Sequence, residues 1–384
     1  QDALVSALET WKFGHQPVNP AAWLMRAARN RAIDLLRHRA HGERAAEALA
    51  RALADPRLEA EPEAVEHAVR DDELRLMFSC CDPALARPAQ VAVILKYLCG
   101  FSVREIAQAF LSTEAAVEKQ LFRSRRVLCD HGQLFEVRDA YQVRERLPAV
   151  QEAIYLLFSE GYHGAHPEHA VREDLCHEAT RLGVMLSRLP AAATPETQAL
   201  LALFCFLAAR LPARLDDGGN LLLLGEQDRS RWDRDAIGEG LRRLDLSAEG
   251  DALTAWHVEA AIAARHAMAA SFAQTDWASI RELYDLLLRL RPTPVVALNR
   301  AIAVGMADGP EAGLRALEEI DDRERLRRYP FLPAAMAEFQ LRAGRRERAA
   351  ELLREALRLV RNRDEESVLQ RKLDACASPG RSDA

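Results

Sequence analysis

The chain of 384 residues is predicted to be all-α, and three observations support that prediction. Amphipathic stretches with a helical period recur along its length, while the two-residue alternation of β-strands is nearly absent. Residues that start helices precede several of these stretches, among them Asn19-Pro20 and Ser102. Two helical hairpins near the C-terminus turn at Gly309 and Gly344, a spacing of 35 residues.

The composition is typical of a soluble globular protein, with 49% apolar residues, 29% charged residues and a net charge of −6. The length predicts two or three domains. No apolar run approaches the roughly 20 residues that cross a bilayer, and there is no secretory signal, so a cytoplasmic protein without membrane contact is predicted. The seven cysteines include no CxxC pair, which also favours a reducing compartment. Because the first residue is Gln and not Met, we expect natural residues to precede it.

Residues 1–42 are predicted to form a basic helical segment. Asn19-Pro20 places a capping side chain before a proline in the first turn, and the helix should reach about Arg39. Six arginines and two acids lie between residues 20 and 44, so this is a basic patch in an acidic chain. The patch is either a solvated face or a DNA contact, and the helix-turn-helix described next favours the DNA contact.

Residues 43–70 are predicted to be an acidic linker. Ten acids and four arginines lie between residues 43 and 73, and Pro56 and Pro62 interrupt helix formation. A plain solvated tether explains this composition as well as any functional role does.

Residues 71–135 are predicted to form a helix-turn-helix domain whose core comes from apolar helices within residues 74–99. Ser102 and Glu105 have the spacing of a capping box, in which each residue bonds the backbone N–H of the other. The first helix of the motif should therefore run from about residue 103 to residue 110.

The second helix of this motif is predicted to project a row of cations. Residues 111–112 would form the turn, and Thr113 would cap a helix that ends near Leu128. At about 100° per residue, one face of this helix carries Val117, Leu121, Ser124 and Leu128. The opposite face carries Lys119, Arg123 and Arg126. This arrangement suits a helix that enters a DNA major groove, although an ordinary hairpin with a solvated basic face has the same pattern.

Three stretches resemble the sigma-70 family of transcription initiation factors. Phe101-Ser-x-x-Glu-Ile-Ala, followed by a turn and a helix ending in Arg-Ser-Arg-Arg126, is similar to region four, which reads the promoter −35 element. Residues 20–37, with Trp-Leu and then Ala-Arg-Asn30, are similar to the end of region two in the extracytoplasmic-function group, which opens the −10 element. Residues 77–85 resemble the subgroup with a long C-terminal extension, in which His often stands where this chain has Asp82.

The resemblance implies a function and a set of DNA-contacting residues. A member of this family binds core RNA polymerase and directs it to promoter DNA. Contacts to the −10 element would come from Arg26, Arg29, Asn30 and Arg37. Contacts to the −35 element would come from Thr113, Lys119, Gln120, Arg123 and Arg126. Arginine and lysine can bind phosphates or guanine edges, whereas asparagine and glutamine can read adenine.

Residues 140–375 are predicted to form an α-helical extension, with a disordered tail at residues 376–384. The hairpins at residues 294–320 and 330–360 resemble tetratricopeptide repeats, whose period is about 34 residues. Earlier helices are expected near residues 147–160, 170–189, 196–210, 231–245 and 251–272. We expect this extension to contact the sigma domains and to regulate them in cis.

Two segments of the extension carry charged clusters. Residues 216–224 resemble a loop followed by a short buried apolar run. The string Asp-Arg-Ser-Arg-Trp-Asp at residues 228–233 is expected to form arginine–carboxylate pairs between helices, and a pocket for a small acidic signal is the alternative.

Nothing in the sequence predicts an enzyme, a metal site or a cofactor. Phosphate-binding loops, the nucleophile elbow and the HExxH motif are all absent, so no catalytic residue can be named. A group of histidines lies near Cys176, but its spacing matches no established zinc pattern. The group consists of His163, His166, His169 and His177.

Two other classes of protein remain open at this point. One is a stand-alone, dimeric helix-turn-helix regulator that uses the extension as a sensor. The other is a helical scaffold that binds no DNA. Residues 23–37 favour the sigma factor, because a simple repressor has no need of a region-two helix.

Overall fold

The computed structural model describes residues 72–131, 139–163, 171–360 and 362–377, all within the structural unit Ala68–Ala384. The predicted basic segment, acidic linker and C-terminal tail fall largely or wholly outside these residues. The same is true of the four candidate residues for the −10 element, namely Arg26, Arg29, Asn30 and Arg37.

The described part of the chain is all-α, as predicted. Its helices, in chain order, are α1 (Asp72–Cys80), α2 (Arg87–Tyr97), α3 (Val103–Ala109), α4 (Glu114–His131), α5 (Ala140–Tyr162), α6 (Glu173–Arg188), α7 (Pro195–Ala208), α8 (Arg234–Ser247), α9 (Ala255–Met268), α10 (Trp277–Leu290), α11 (Pro294–Asp308), α12 (Pro310–Glu318), α13 (Phe331–Arg342), α14 (Arg346–Leu359) and α15 (Arg363–Ala377). Three 3₁₀ turns lie between them, at Leu211–Ala213, Arg229–Arg231 and Arg323–Leu326.

Helices α3 and α4 form the predicted helix-turn-helix. The hydroxyl of Ser102 accepts the backbone N–H of Glu105 at 3.1 Å, and the Glu105 carboxylate accepts the Ser102 N–H at 2.6 Å. Thr113 caps α4 by accepting the N–H of Ala116 at 3.3 Å. The backbone φ of Leu111 in the turn is +48°, in the left-handed region that favours glycine. Helix α4 runs three residues beyond its expected end.

Helix α2 is buried on every side. Val91, Ala92, Val93, Ile94 and Leu95 are each at most 2% exposed, and five consecutive residues at about 100° apart cover the whole circumference of a helix. Helices α1, α3 and α4 cover part of that surface, and α5 covers another part. The helix-turn-helix and the first helices of the extension therefore share one hydrophobic core.

Polar contacts reinforce this shared core. Arg146 of α5 donates to the carbonyl of Phe78 in α1 at 3.1 Å. Arg181 of α6 forms an ion pair with Glu73 at 2.6 Å. Helix α5 begins at Ala140, earlier than expected, because Asp139 caps it, and Pro148 lies inside the helix.

The C-terminal part contains the two predicted helical hairpins, α11–α12 and α13–α14. Their turns contain Gly309 and Gly344, whose φ angles are +98° and +77°. The hairpins stack through the Phe339 ring, against which Gly305 and Gly313 lie so closely that a Cβ at either position would overlap it. Helix α10, which the sequence analysis did not identify, leads into this stack.

The loop after α7 is a tight hydrogen-bonded turn. Asp216 Oδ1 accepts the N–H groups of Gly218 and Asn220 at 2.9 and 2.8 Å. An isolated bridge pairs Leu215 with Leu221. Leucines 221–224 are half-buried, so the apolar run that was expected to be buried is only partly shielded from solvent.

The charged string that follows bonds mainly to the backbone. Arg229 donates to the carbonyls of His266 and Ala269, both at 2.6 Å, because the C-terminal end of α9 presents unpaired carbonyls. Asp233 caps α8 through the N–H groups of its first turn. The predicted arginine–carboxylate pairing between helices is therefore wrong for Arg229. Arg231 of the same string does form an ion pair, at 3.9 Å, with Asp217 of the preceding loop on the surface.

The segment Pro195–Ala213, which includes α7, is long and apolar enough to cross a membrane by composition, and 61% of it is buried within the fold. A core helix of a soluble protein has the same properties. Helices α8, α9 and α6 pack against α7, and α5 makes a smaller contact with it.

Candidate nucleic-acid interface

Helix α4 buries one face and projects the other, as predicted. Val117, Leu121, Ser124 and Leu128 are all at most 8% exposed. The hydroxyl of Ser124 donates to the carbonyl of Gln120 at 2.9 Å, so the polar group on the buried face is satisfied within the helix. Lys119, Arg123 and Arg126 are exposed on the other side.

These cations are available to a ligand. Within the described part of the chain, Lys119, Arg123 and Arg126 form no ion pair with a carboxylate. Arg125 is also exposed and without an ion pair in the described residues. Unneutralised side chains that project from one helix are what phosphate and base-edge recognition require.

An exposed aromatic ring lies among the cations. Phe122 is 73% exposed, and with Lys119, Arg123 and Arg126 it completes an i, i+3, i+4, i+7 stripe along α4. Sequence reasoning missed Phe122, although this spacing could have identified it, because an apolar residue in a helix is usually assigned to the core. We name Lys119, Phe122, Arg123 and Arg126 the projecting stripe.

The other two predicted −35 residues have different positions. Thr113 is exposed and uses its hydroxyl to cap α4, so that oxygen already accepts one hydrogen bond. Gln120 is half-buried at the border between the two faces. The structure therefore brings three of the five predicted residues onto one stripe and leaves two beside it.

The extension reaches the N-terminal end of α4. Leu111, in the turn before that helix, packs against the apolar cluster of the C-terminal hairpins, which includes Leu298, Leu326 and Phe339. Beside this contact lies a cavity of about 2270 Å³. Ser112, Thr113 and Glu114 line it from the helix-turn-helix, and the extension lines it with residues that include Arg327, Arg328 and Phe331.

The described residues contain no group of three histidine, cysteine or acidic side chains that could hold a metal ion. Cys176 is buried, its thiol contacts the Phe158 carbonyl at 3.7 Å, and burial raises the pKa of that thiol to about 12. His177 is exposed on α6, while His166 and His169 lie outside the described residues. A thiol in this environment is a packing group and not a nucleophile.

Replacing Arg123 with alanine is expected to weaken promoter binding by about 1–3 kcal/mol, the value of one good contact between a guanidinium and a base pair. Fluorescence anisotropy with promoter DNA and with random DNA would measure the effect. The matched control is Arg354→Ala, which removes an exposed arginine from α14, far along the extension. If both variants bind promoter DNA equally well, the projecting stripe does not contact DNA through Arg123.

Comparison with known proteins gives three findings. Residues 78–128, which span α2 to α4, match the family model described as sigma-70, region 4. Residues 146–248 match a family of unknown function, DUF6596. A relative from Rhizobium meliloti (strain 1021), the uncharacterized protein R00370, is 39% identical over 379 residues, which cover 98% of this chain and 89% of that protein.

Proposed function

The chain belongs to one family with the rhizobial protein R00370, and from that membership together with its sigma-70 region 4 we propose that it is a sigma factor of the extracytoplasmic-function type. It binds core RNA polymerase in the cytoplasm and directs the enzyme to promoter DNA. Region 4 is a DNA-binding transcription domain without catalytic activity, which agrees with the absence of a catalytic motif in the sequence.

The observation that carries this proposal is the projecting stripe on the region-4 helix α4. In this assignment Arg123, Arg126 and Lys119 bind phosphates or guanine edges of the −35 element, and Gln120 and Thr113 add polar contacts beside them. Phe122 supplies an apolar surface suited to a thymine methyl group. The combination gives both a salt-dependent and a sequence-dependent component of binding.

The proposed domain arrangement follows the sequence. Region two would end within residues 1–42 and contact the −10 element through Arg26, Arg29, Asn30 and Arg37. The linker would occupy residues 43–70, region four residues 71–135, and the tetratricopeptide-like extension residues 140–375, before a short tail at residues 376–384.

Replacing Asn30 or Arg37 with alanine is expected to impair promoter opening more than −35 binding, because the region-two-like helix acts on the −10 element. Permanganate reactivity of unpaired thymines would measure opening, and anisotropy would measure binding. Arg123→Ala is the reciprocal control, because this variant should bind the promoter more weakly but open the promoter normally in the complexes that it forms. Normal reactivity in both the Asn30 and Arg37 variants would refute the −10 assignment.

The same proposal gives the extension a role in cis. Its contact with Leu111 and the nearby residues of the cavity lie at the end of α4 that enters the groove first in helix-turn-helix proteins. DNA therefore competes with the extension for access to this end of the helix. The contact with Leu111 holds the extension in the position that limits access of DNA to the N-terminal end of α4.

Leu111→Gly is expected to raise promoter affinity about fivefold or more, because it removes the apolar contact with the extension. Glycine also fits the positive φ at this position, so the turn itself should not be weakened. The matched control is Asp322→Gly, which relieves the other positive φ of a non-glycine residue in the described chain, at an exposed site. Unchanged or lower promoter affinity in Leu111→Gly would contradict control through this contact.

Transcription in vitro tests the function itself. Purified core polymerase is combined with the full chain and a library of promoter fragments, and transcripts are mapped. A sigma factor gives defined start sites that depend on both proteins. Binding to palindromic sites without any polymerase requirement would instead identify a stand-alone regulator, and absence of DNA binding would identify a scaffold.

A further inference from the structure

A cluster of arginine and aromatic side chains borders the cavity. The guanidinium of Arg210 lies 5.8 Å from the Tyr162 ring centroid and 5.5 Å from that of Trp232. Arg214 lies 4.2 Å from the Tyr162 ring, and Arg229 lies 4.6 Å from the Trp232 ring. We name these three arginines and two aromatic residues the arginine cluster. Arg210 and Tyr162 line the cavity directly.

The positive charge of this cluster is not neutralised by the described residues. Arg210 donates to the side-chain oxygen of Gln227 at 3.2 Å, and Arg214 donates to the carbonyl of Tyr162 at 2.9 Å. Arg229 also bonds to backbone carbonyls, so none of the three forms an ion pair in the described chain. Burial lowers the pKa of Arg210, because removal from water disfavours the charged form.

Titratable groups that interact electrostatically with the arginines of the cluster include Glu365, with Arg214, and His266, with Arg210 and Arg229. The buried Glu160 lines the cavity. Glu365 also lines the cavity, and burial raises its pKa to about 7, so at neutral pH it is only partly ionised. Burial, followed by the charges of Arg210 and Arg229, lowers the pKa of His266 to about 3. His266 is therefore neutral, and the three guanidinium groups supply the positive charge of the cluster.

Several buried polar atoms around Arg210 have no hydrogen-bond partner. They are the hydroxyl of Tyr162, Nε of Arg214, Nε1 of Trp232 and Nδ1 of His266. Tyr162 is 2% exposed, Trp232 2% and Arg214 3%. All three side chains offer hydrogen-bond donors, and leaving buried donors unsatisfied is costly. Of these residues, Tyr162 and His266 line the cavity, so an anion bound there would accept the hydrogen bond of the Tyr162 hydroxyl.

The walls beside the cluster are apolar. Phe206 and Leu224, which pack in the same apolar cluster as Trp232, line the cavity. Convergent donors next to an apolar wall are typical of sites that bind an organic molecule with one charged end. A fully solvated inorganic ion would leave this wall without a contact.

We infer that the end of the cavity beside Arg210 binds a small organic anion, a carboxylate or a phosphate monoester attached to an apolar body. The anionic group accepts hydrogen bonds from Arg210 and neighbouring donors, and the apolar body lies against Phe206 and Leu224. Arg104 and Gln108 of α3 line the same cavity with unsatisfied polar atoms, so the cavity extends to the helix-turn-helix. This inference does not rest on the proposed function, because its test requires neither DNA nor polymerase.

Isothermal titration calorimetry of the full chain would test the site with three probes: benzoate, phenyl phosphate and the neutral benzyl alcohol. We expect at least one anion to bind with a Kd of about 1 mM or lower, and benzyl alcohol to bind more weakly. Arg210→Met, which removes the charge and keeps the length of the side chain, should weaken anion binding about tenfold or more. Arg231→Met is the matched control, since Arg231 is exposed in the neighbouring turn and should not affect binding.

Circular dichroism checks that each variant is folded. If Arg210→Met is not folded, Tyr162→Phe decides, because it removes only the unsatisfied hydroxyl and should weaken binding about threefold. Binding of phenyl phosphate alone assigns a phosphate ester, and binding of benzoate alone assigns a carboxylate. The inference is overturned if neither anion binds, if benzyl alcohol binds as well as the anions, or if the folded cluster variant binds them like the original chain.

Discussion

A fragment of residues 72–138 is expected to melt at least about 15 °C below the full chain. Helix α2 loses the part of its cover that α5 provides, and each aliphatic side chain that returns to water costs about 1.5–3 kcal/mol. For a domain of this size, 1 kcal/mol corresponds to about 4–8 °C in the melting midpoint. Circular dichroism during heating, together with binding of a hydrophobic dye, would measure the loss.

The control for this experiment is a fragment of residues 72–377, which retains every described helix and should melt close to the full chain. Cooperative melting of the 72–138 fragment at the temperature of the 72–377 fragment would contradict the importance of the shared core. The expected instability also affects how truncations are interpreted. Lost transcription after removal of the extension would reflect unfolding, so Leu111→Gly is the better test of control in cis.

The second large effect is expected at the stack of C-terminal hairpins. Gly305→Leu should destabilise the protein by about 3 kcal/mol or more, because no room exists for a side chain between α11 and the Phe339 ring. Gly313 lies against the Cα of Gly305, so α11 cannot move away from Phe339 without displacing α12. Chemical denaturation followed by circular dichroism would give the free energy of unfolding.

Gly238→Leu provides the matched control within a helix. Gly238 lies on the exposed face of α8, where a Cβ would meet no atom within 4 Å. Leucine favours helix over glycine by up to about 0.8 kcal/mol, so this variant should be slightly more stable. A stable Gly305→Leu variant would show that the hairpins are not held together through Phe339.

The parts of the fold that the sequence predicted well depend on neighbouring residues. Ser102 and Glu105 form their capping box within four residues, and the buried face of α4 follows from a single helical period. Helix α10 was missed although Asp276 caps it, because its apolar residues were not recognised as a separate period. Its N-cap was therefore a signal that sequence reasoning could have used.

Contacts between distant residues were beyond sequence reasoning. Whether Arg229 would meet a carboxylate or the end of α9 depends on how α8 and α9 pack, and periodicity does not report packing. The exposure of Phe122 has the same origin, since it depends on which side of α4 the core covers. The arginine cluster joins residues from three separate segments, so no local motif could reveal it.

The contact of Leu111 with the C-terminal hairpins has a consequence for synthesis on the ribosome. Phe339, part of the apolar cluster against which Leu111 packs, is translated more than 200 residues after Leu111. At about 5–20 residues per second, Leu111 is made roughly 10–45 s before Phe339. During that interval the side chain of Leu111, next to α4, is exposed to solvent. A newly made copy therefore passes through a period in which this apolar side chain is exposed, before the C-terminal hairpins pack against it.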